Sequence, residues 1–417
     1  MHDLERSYPD HLGARVRASW PNDAFPLPRR LDALLATAYH ASFMRDEERP
    51  VTCRILVLSP SELPLDGGPP STLLPLLFTA PRGFNEHELR RLSPAANVHR
   101  ALIGVEDSEG DLATWGMVQS GPRWLQAAQG GRAKEPPIPR CLVIRVVRPG
   151  HLIVGCGSRL VAELRGGRLS DFALDVFQSE WLPALFKDER NATVSEHARS
   201  ALTTVAEGVA AELARHVGQQ MIKRVVATMR AAHHGGTVLI GPPDCAADRY
   251  LQTKYAFRDG ASRWRFRSLT LAILETLAER ATEAGRAADA ELYQLDTDSR
   301  IAELDEGLFE VSHLIAALAE VDGAVVLTKR FEVLGFGAEI SGNLPRVNEV
   351  RRALDLEGDA FAVEVVEGVG TRHRSAYRFC AAVPGALALV VSQDGGVRFI
   401  TKHREVVTYW DHGPGDG

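Results

Sequence analysis

Residues 320–340, "EVDGAVVLTKRFEVLGFGAEI", contain two short runs of apolar and β-branched residues, 324–328 and 333–340. Such runs are typical of strands, and the four residues between them predict a turn. The preceding stretch, 308–321, has apolar residues at helical spacing, which predicts a helix that ends at Asp322. A helix that leads directly into two strand-like runs belongs to a mixed α/β pattern.

The sequence around this stretch extends the same pattern. Short apolar runs predict further strands at 237–241, 359–366, 386–392 and 397–401. Helical spacing predicts helices at 262–285, 346–355 and 372–383. The pair Asp394-Gly395 between the last two strand-like runs is a strong signal for a β-hairpin. We therefore predict a mixed α/β fold for the C-terminal half.

A long helical pattern precedes this region. Thr193 followed by Glu196 fits a capping box, apolar residues then recur every three or four positions, and Gly235 and Gly236 end the pattern. We expect one connecting helix over 193–235. Its apolar stripe is best explained by core packing, with a partner helix as the alternative.

This helix divides the chain into two predicted domains. Residues 1–192 carry short strand-like runs separated by turn-rich stretches, which predict an N-terminal α+β domain. Residues 236–417 form the predicted C-terminal domain, which extends over about 198–417 when the helix is included. The length of 417 residues supports two or three domains with cores that need no disulfides.

Composition excludes several protein classes. The formal net charge of −6 argues against broad binding to nucleic acid, which usually needs a basic domain. Arginine interrupts every long apolar run, so we expect no membrane span. The five cysteines form no CxxC pair, and the first residues lack an apolar signal core, so we expect a cytoplasmic protein.

The stretch 366–379, "VEGVGTRHRSAYRF", places cationic side chains at a predicted helix start. Gly370 allows close approach of a ligand to the backbone, and Thr371 stands where an N-cap is expected. Arg372, His373 and Arg374 then occupy the first turn. A helix N-terminus attracts anions, and guanidinium groups grip phosphate, so a polyphosphate is the best candidate ligand. The alternative is an exposed basic turn or an ion-pair cluster with Glu364 or Glu367.

Asp322 is the candidate catalytic carboxylate. It stands between a predicted helix and a predicted strand, and Gly323 and Ala324 leave room beside it. Such a carboxylate can hold Mg²⁺ against phosphates and help to activate a hydroxyl. Taken alone, Asp-Gly is a common turn. Asp394 is already explained by its hairpin.

Together these motifs resemble the diadenylate cyclase (DAC) domain. That family carries a DGA motif followed some fifty residues later by an RHR motif, and here they stand as Asp322-Gly323-Ala324 and as Arg372-His373-Arg374 within residues 370–374. The resemblance implies a mixed β-sheet flanked by helices and the condensation of two ATP into cyclic di-AMP and two pyrophosphates. It also implies dependence on Mg²⁺ or Mn²⁺ and two domains that face each other.

The resemblance also implies roles for individual residues. Asp322 would act at the metal and the 3′-hydroxyl, and Gly323 would contact the nucleotide. The phosphates would be bound by Gly370, Thr371, Arg372, His373 and Arg374. Asp394 would be the remaining acid at a position that helps to hold metal.

Three positions depart from the family pattern. Many members have His before DGA, "LPLS" after the second strand and a "SEETG" turn. This chain has Val321, "ISGNLP" at 340–345 and "SQDGG" at 392–396. These differences bear on the geometry of the metal site and on which nucleobase is preferred. Both motifs are intact.

The N-terminal half resembles the sensor-type domains fused ahead of DAC domains, on the stretches "ASFMRDEERPVTCRILVLS" and "FNEHELRRLSPA". The alternative is a structural or oligomerisation domain. For the whole chain, three hypotheses stand: an active cyclase, with ATP or another nucleotide as substrate; a nucleotide-binding module without turnover; or an unrelated α/β protein. Retention of Asp322 favours the first.

Overall fold

The computed structural model describes residues 9–63, 67–69, 72–108, 111–121, 129–132, 138–170, 174–201, 203, 205–243, 247–296, 298–340, 344–393 and 395–413. Its contacts divide the chain into two compact units. Unit 1 comprises Met1–Leu125 and Lys134–Phe172, and unit 2 comprises Gln126–Ala133 and Ala173–Gly417. Both units combine helices with sheets, which confirms the mixed α and β architecture expected from the sequence.

Unit 1 is built on one sheet of eight strands among its described residues. A separate two-stranded ribbon is formed by β1 Arg45–Asp46 and β2 Arg49–Pro50. The strands of the eight-stranded sheet are β3 Cys53–Val57, β4 Leu74–Gly83, β5 Ala101–Asp107, β6 Leu112–Gln119, β7 Leu142–Arg148, β8 His151–Cys156, β9 Arg159–Arg165 and β10 Arg168–Ser170. The sheet order is β10-β9-β8-β7-β3-β5-β6-β4, and β3 and β5 run parallel. Its helices are α1 Pro9–Ala18, α2 Leu31–Ala41 and α3 Glu86–Leu92.

Unit 2 contains the longer helices. They are α4 Trp181–Leu185, α5 Lys187–Ser200, α6 Glu207–Ala231, α7 Ala247–Tyr250, α8 Arg265–Ala284, α9 Ala290–Leu295, α10 Ser299–Leu318 and α11 Thr371–Ala382. Short 3₁₀ turns occur in both units, at Pro60–Glu62, Val176–Gln178 and Ala261–Trp264. Within the described part of the chain, no helix has both the length and the apolar character needed to cross a bilayer.

A nine-stranded sheet of described residues organises unit 2. The strands are β11 Gly236–Gly241, β12 Leu251–Ala256, β13 Ala324–Thr328, β14 Val333–Ile340, β15 Glu349–Ala353, β16 Phe361–Val365, β17 Leu387–Val391, β18 Val397–His403 and β19 Val406–His412. Their order is β12-β14-β13-β11-β17-β18-β19-β15-β16. Helices α6, α8 and α10 share one apolar core with the sheet, and α11 contributes to a second. The sheet is therefore covered on both faces, as its continuous apolar strands require.

The predicted strands at 324–328 and 333–340 and the hairpin of β17 and β18 are confirmed. The single helix predicted over 193–235 is wrong, because α5 and α6 are separate helices. Thr193 lies inside α5, where its hydroxyl donates to the carbonyl of Glu189 over 3.0 Å rather than capping a helix. The buried His197 ring accepts a hydrogen bond from the Val205 amide over 3.2 Å and so stabilises the break.

The helix predicted over 346–355 is also wrong, because this stretch contains strand β15. It pairs antiparallel with β16 and parallel with β19. Arg351 stacks over the Phe361 ring at 4.0 Å, and Arg352 pairs with Glu364 at 3.3 Å. These cross-strand partners are distant in sequence, and they outweigh the weak helical preference of the local residues.

Residues 174–186 pack with unit 2, although the sequence placed the first domain boundary after residue 192. Their apolar side chains join the unit 2 core: Val176, Phe177, Trp181 and Leu182. The Trp181 ring stacks on Trp410 with centroids 4.2 Å apart, and its indole nitrogen donates to the carbonyl of Leu356 over 3.0 Å. The segment before α5 is therefore part of the second folding unit.

Replacing Trp181 by Ala should lower the free energy of unfolding of unit 2 by about 3–5 kcal/mol, the usual cost of emptying a buried aromatic site. Trp264→Ala is the matched control, because Trp264 belongs to the same unit and is 46% exposed. We expect the control to cost much less in urea unfolding followed by circular dichroism. Equal losses in the two variants would contradict the packing of this segment into unit 2.

Candidate functional site

The DGA turn lies at the start of β13. Asp322 and Gly323 are exposed, and Ala324 is the first, buried residue of the strand. Gly323 has φ +107°, and a Cβ there would lie 2.6 Å from the carbonyl carbon of Gly337 on β14. Only glycine fits this position, because any side chain would meet backbone and adopt a strained conformation. Glycine at this motif position is therefore required by the fold itself.

The carboxylate of Asp322 is available to a ligand. Among the described residues it has no hydrogen-bond or ion-pair partner. The negative charge of Asp322 acts on Lys254 of β12. The pKa of Lys254 is raised mainly by its hydrogen bond with Glu339 and to a smaller extent by Asp322. Lys254 is exposed and its Nζ lies 2.6 Å from Glu339. An exposed acid without a protein partner can bind a cation without losing an internal contact.

The RHR motif lies at the start of α11. Gly370 occupies the N-cap, and Thr371 is the first helical residue, so the predicted cap at Thr371 is wrong by one position. No side chain caps this helix. Because glycine has no side chain to accept from the first amides, the free N–H groups of the first turn face solvent or a ligand. Gly370 is exposed, as the approach of an anion would require.

The cations of the motif differ in their surroundings. Arg372 and Arg374 are exposed, and His373 is half-buried with its ring 6.4 Å from that of Tyr377. Within the described part of the chain, neither arginine has a carboxylate at ion-pair distance. Arg374 lies 3.5 Å from the Thr371 hydroxyl, a long and weak contact. No carboxylate of the described residues therefore neutralises the positive charge of either guanidinium group.

The expected alternative was an ion-pair cluster with Glu364 or Glu367. Glu364 instead pairs with Arg352 at 3.3 Å and accepts a hydrogen bond from the Tyr409 hydroxyl over 2.5 Å. No described cation pairs with Glu367. Internal neutralisation by these two acids is therefore excluded among the described residues.

The fold brings the two motifs to one edge of the sheet. A Cβ on Gly235 would lie 2.9 Å from Nη1 of Arg372 and 2.9 Å from the carbonyl oxygen of Val391. Arg372 thus reaches the turn before β11 and the end of β17. Strand β11 runs parallel to β13, so Gly236 stands level with the DGA turn. Arg372 therefore reaches the same end of these neighbouring strands at which Asp322 lies.

The contact of Arg372 with Gly235 was missed by the sequence analysis. The pair Gly235-Gly236 served there only as a helix stop. A Cβ on Gly236 would lie 2.7 Å from the carbonyl oxygen of Ala319, so both glycines allow close packing at the site. A glycine pair directly before a strand is the signal that could have indicated a close approach.

Metal binding can be judged from the available donors. Asp394 lies outside the described residues. The rest of the described chain holds no cluster of three or more His, Cys, Asp or Glu that could bind a metal. Asp322 alone fits Mg²⁺ or Mn²⁺ shared with a substrate, because Mg²⁺ keeps several waters and is usually held by one or two carboxylates plus phosphates.

Residues 20–119 match the family model described as "Probable sensor domain DACNV", the N-terminal sensor domain of DAC-associated proteins. The match bears out the sensor-type resemblance of this region and links the chain to diadenylate cyclase-related proteins. No match to a DAC catalytic domain accompanies it. No curated protein matches the chain.

A crystal structure described as a hypothetical membrane spanning protein from Bacillus cereus is similar at 17% sequence identity, with a TM-score of 0.25. The aligned part covers 47% of this chain and 63% of that chain. The chain therefore spans less than two thirds of that protein's length. At this TM-score the likeness carries no argument about fold or function.

Proposed function

We propose that unit 2 is a diadenylate cyclase. Two ATP molecules condense into cyclic di-AMP, and each 3′-hydroxyl attacks the α-phosphate of the other nucleotide with release of pyrophosphate. The observation that carries the proposal is the unpartnered carboxylate of Asp322 at the same sheet edge as the unpaired guanidinium groups of Arg372 and Arg374. An acid and cations at the same end of neighbouring strands suit a triphosphate whose hydroxyl end and phosphate end need opposite charges.

The proposed division of labour follows from position. Arg372, Arg374 and the open amides of the α11 N-terminus bind the triphosphate as an anion. Asp322 orients the 3′-hydroxyl and accepts its proton as the oxygen attacks. Asp322 would hold Mg²⁺ or Mn²⁺, and the ion would supply neutralisation of the phosphate charge. Gly323 keeps the backbone of the turn close to β14, which fixes the carboxylate at the site edge.

Exposed apolar side chains flank the proposed site. Tyr255 is 55% exposed and Val321 is 41% exposed. A Cβ on Gly337 would lie 3.4 Å from the Tyr255 ring and 3.6 Å from the carbonyl oxygen of Asp322. Apolar groups beside an exposed acid favour coverage by a second copy of the chain, as the face-to-face reaction requires.

Residues 20–119 are proposed to regulate turnover, and they contribute no catalytic group to the mechanism. A second candidate function is a nucleotide-binding module that performs no chemistry. The experiment that separates the two is incubation of the purified chain with each of the four nucleoside triphosphates plus Mg²⁺ or Mn²⁺, followed by identification of products by mass. Cyclic di-AMP from ATP supports the cyclase, and binding without product supports the module.

Replacing Arg372 by Ala should weaken ATP binding by about 1.5–3 kcal/mol, the range for a hydrogen bond to a charged group. AMP binding should weaken much less, because AMP lacks the outer phosphates. Isothermal titration with both nucleotides provides the comparison. Arg404→Ala is the control, since Arg404 lies in the turn after β18 and pairs with Asp359 at 2.5 Å. Equal losses for ATP and AMP would contradict the triphosphate assignment.

A further inference from the structure

A cavity in unit 2 lies away from the DGA and RHR motifs. It is lined by α4, α5, α6, α8 and the turn after β13, it opens to solvent, and its volume is about 60 Å³. The turn at Lys329–Phe331 follows the last residue of β13, whereas Asp322 precedes the first. Five strand residues separate the two sites by roughly 16 Å.

Apolar side chains form most of the cavity wall. Phe331 stacks with Phe186 at 5.6 Å and packs against Phe266 at 4.5 Å. Leu182 and Ile222 complete the wall. Phe331 has φ +58°, a left-handed conformation that is unusual for an aromatic residue. The protein thus holds an aromatic ring at this wall at the expense of backbone strain.

Cations surround this apolar wall. Three of the lining arginines have acidic partners, because Arg330 pairs with Glu189, Arg267 with Glu196 and Arg215 with Glu212. These pairs contribute little net charge to the cavity.

Among the arginines that line the cavity, Arg190 is the one without an acidic partner in the described chain. Its Nη1 donates to the carbonyl of Pro183 over 3.1 Å, and the described chain offers no carboxylate at ion-pair distance. Burial is the main cause that lowers the pKa of the Arg190 guanidinium; the charge of Arg215 lowers the pKa further, and the charge of Glu212 raises it. A half-buried guanidinium without a carboxylate at ion-pair distance can gain an anionic partner without losing an internal ion pair.

Gly218 supports the same interpretation. It lies in the interior of α6 and lines the cavity, and a Cβ there would meet nothing within 4 Å. Glycine is unfavourable inside a helix relative to alanine, and no steric contact requires it here. Its effect is to leave space that a side chain would otherwise occupy.

We propose that this cavity binds an organic anion with an aromatic or alkyl body and one acidic group. The body packs against Phe186, Phe266 and Phe331, and the acid pairs with Arg190. The lining residues come from one unit, so the site needs no second chain. The proposal is independent of the cyclase reaction, because no lining residue belongs to either motif.

The test uses two dyes that share an aromatic body. 8-Anilinonaphthalene-1-sulfonate carries an acid, and N-phenyl-1-naphthylamine is the neutral counterpart. In fluorescence titrations of the full chain, Arg190→Gln should weaken sulfonate binding at least tenfold, the consequence of losing one charged hydrogen bond. Binding of the neutral dye should change less than about twofold, since its contacts are apolar. Arg199→Gln, on the same helix but outside the cavity, should leave both affinities unchanged.

A second variant tests the location. Gly218→Leu fills the cavity and should abolish saturable binding of both dyes. Gly208→Leu, near the start of the same helix and also in open space, should not. Retention of both dyes by Gly218→Leu would overturn the cavity as the site. Equal losses of the two dyes in Arg190→Gln would overturn anion recognition, and absence of saturable sulfonate binding to the unaltered chain would overturn the whole proposal.

Discussion

Replacing Asp322 by Asn is expected to abolish cyclic di-AMP synthesis while ATP affinity stays within about tenfold. Asparagine keeps the shape of the side chain but loses its charge and its capacity to accept a proton. Both properties act on the attacking hydroxyl and on the metal, so the loss falls mainly on the transition state. The expected decrease in turnover is on the order of 10³ or more, comparable with removal of a general base together with a metal ligand.

Product formation is followed by mass detection, and ATP binding by titration. Stability should not change, because Asp322 has no hydrogen-bond or ion-pair partner in the described chain. Glu320→Gln is the matched control, since Glu320 is an exposed acid two residues earlier in the sequence. Undiminished synthesis by Asp322→Asn would remove the catalytic assignment. Equal losses in the two variants would show that charge near the turn, rather than Asp322 itself, is needed.

The elements that were predicted correctly are those whose signals are local. The strands at 324–328 and 333–340 carry continuous apolar and β-branched runs that no helix pattern matches. The hairpin of β17 and β18 was indicated by its two-strand pattern and by Gly395 at the turn, which has φ +84°.

The predictions that proved wrong concern elements whose structure depends on tertiary contacts. The break between α5 and α6 depends on the buried ring of His197, which accepts the amide of Val205 across eight residues. Strand β15 depends on partners in β16 and β19. Unit 2 begins earlier in the chain than predicted because the Trp181 ring stacks on Trp410, which lies more than two hundred residues later in the sequence. None of these partners is visible within a local window.

The candidate site shows the same division. Asp322 and the RHR motif were identified from residue type, order and spacing. The proximity of Arg372 to the Gly235 turn depends on strand pairing that a local pattern does not show. Strand β11 pairs parallel with β13 and antiparallel with β17, which places the start of β11 beside the start of β13 and the end of β17. The cavity beside Arg190 has no sequence signal, because five separate segments line it.

Specific activity is expected to rise with protein concentration and to level off above the dimer dissociation constant. One chain holds one RHR motif and one DGA triplet that leads into a strand, Asp322-Gly323-Ala324, because the other DGA triplet, at 259–261, leads into a 3₁₀ turn. Each 3′-hydroxyl must attack the partner's α-phosphate. Two sites must therefore face each other, most simply by two-fold symmetry. ATP binding has no such requirement and should persist in the monomer. Activity per chain is measured across a dilution series, with mass determined in parallel.

A mixing experiment makes the expectation sharper. In a dimer formed by one unaltered chain and one Asp322→Asn chain, only one of the two phosphodiester bonds forms. The product is then the linear dinucleotide that retains a triphosphate, with release of one pyrophosphate. A ninefold excess of the variant should reduce cyclic product per unaltered chain by about tenfold, because random pairing leaves few unaltered dimers. Constant activity per unaltered chain in this mixture, or constant specific activity where the protein is monomeric, would contradict the face-to-face mechanism and with it the cyclase.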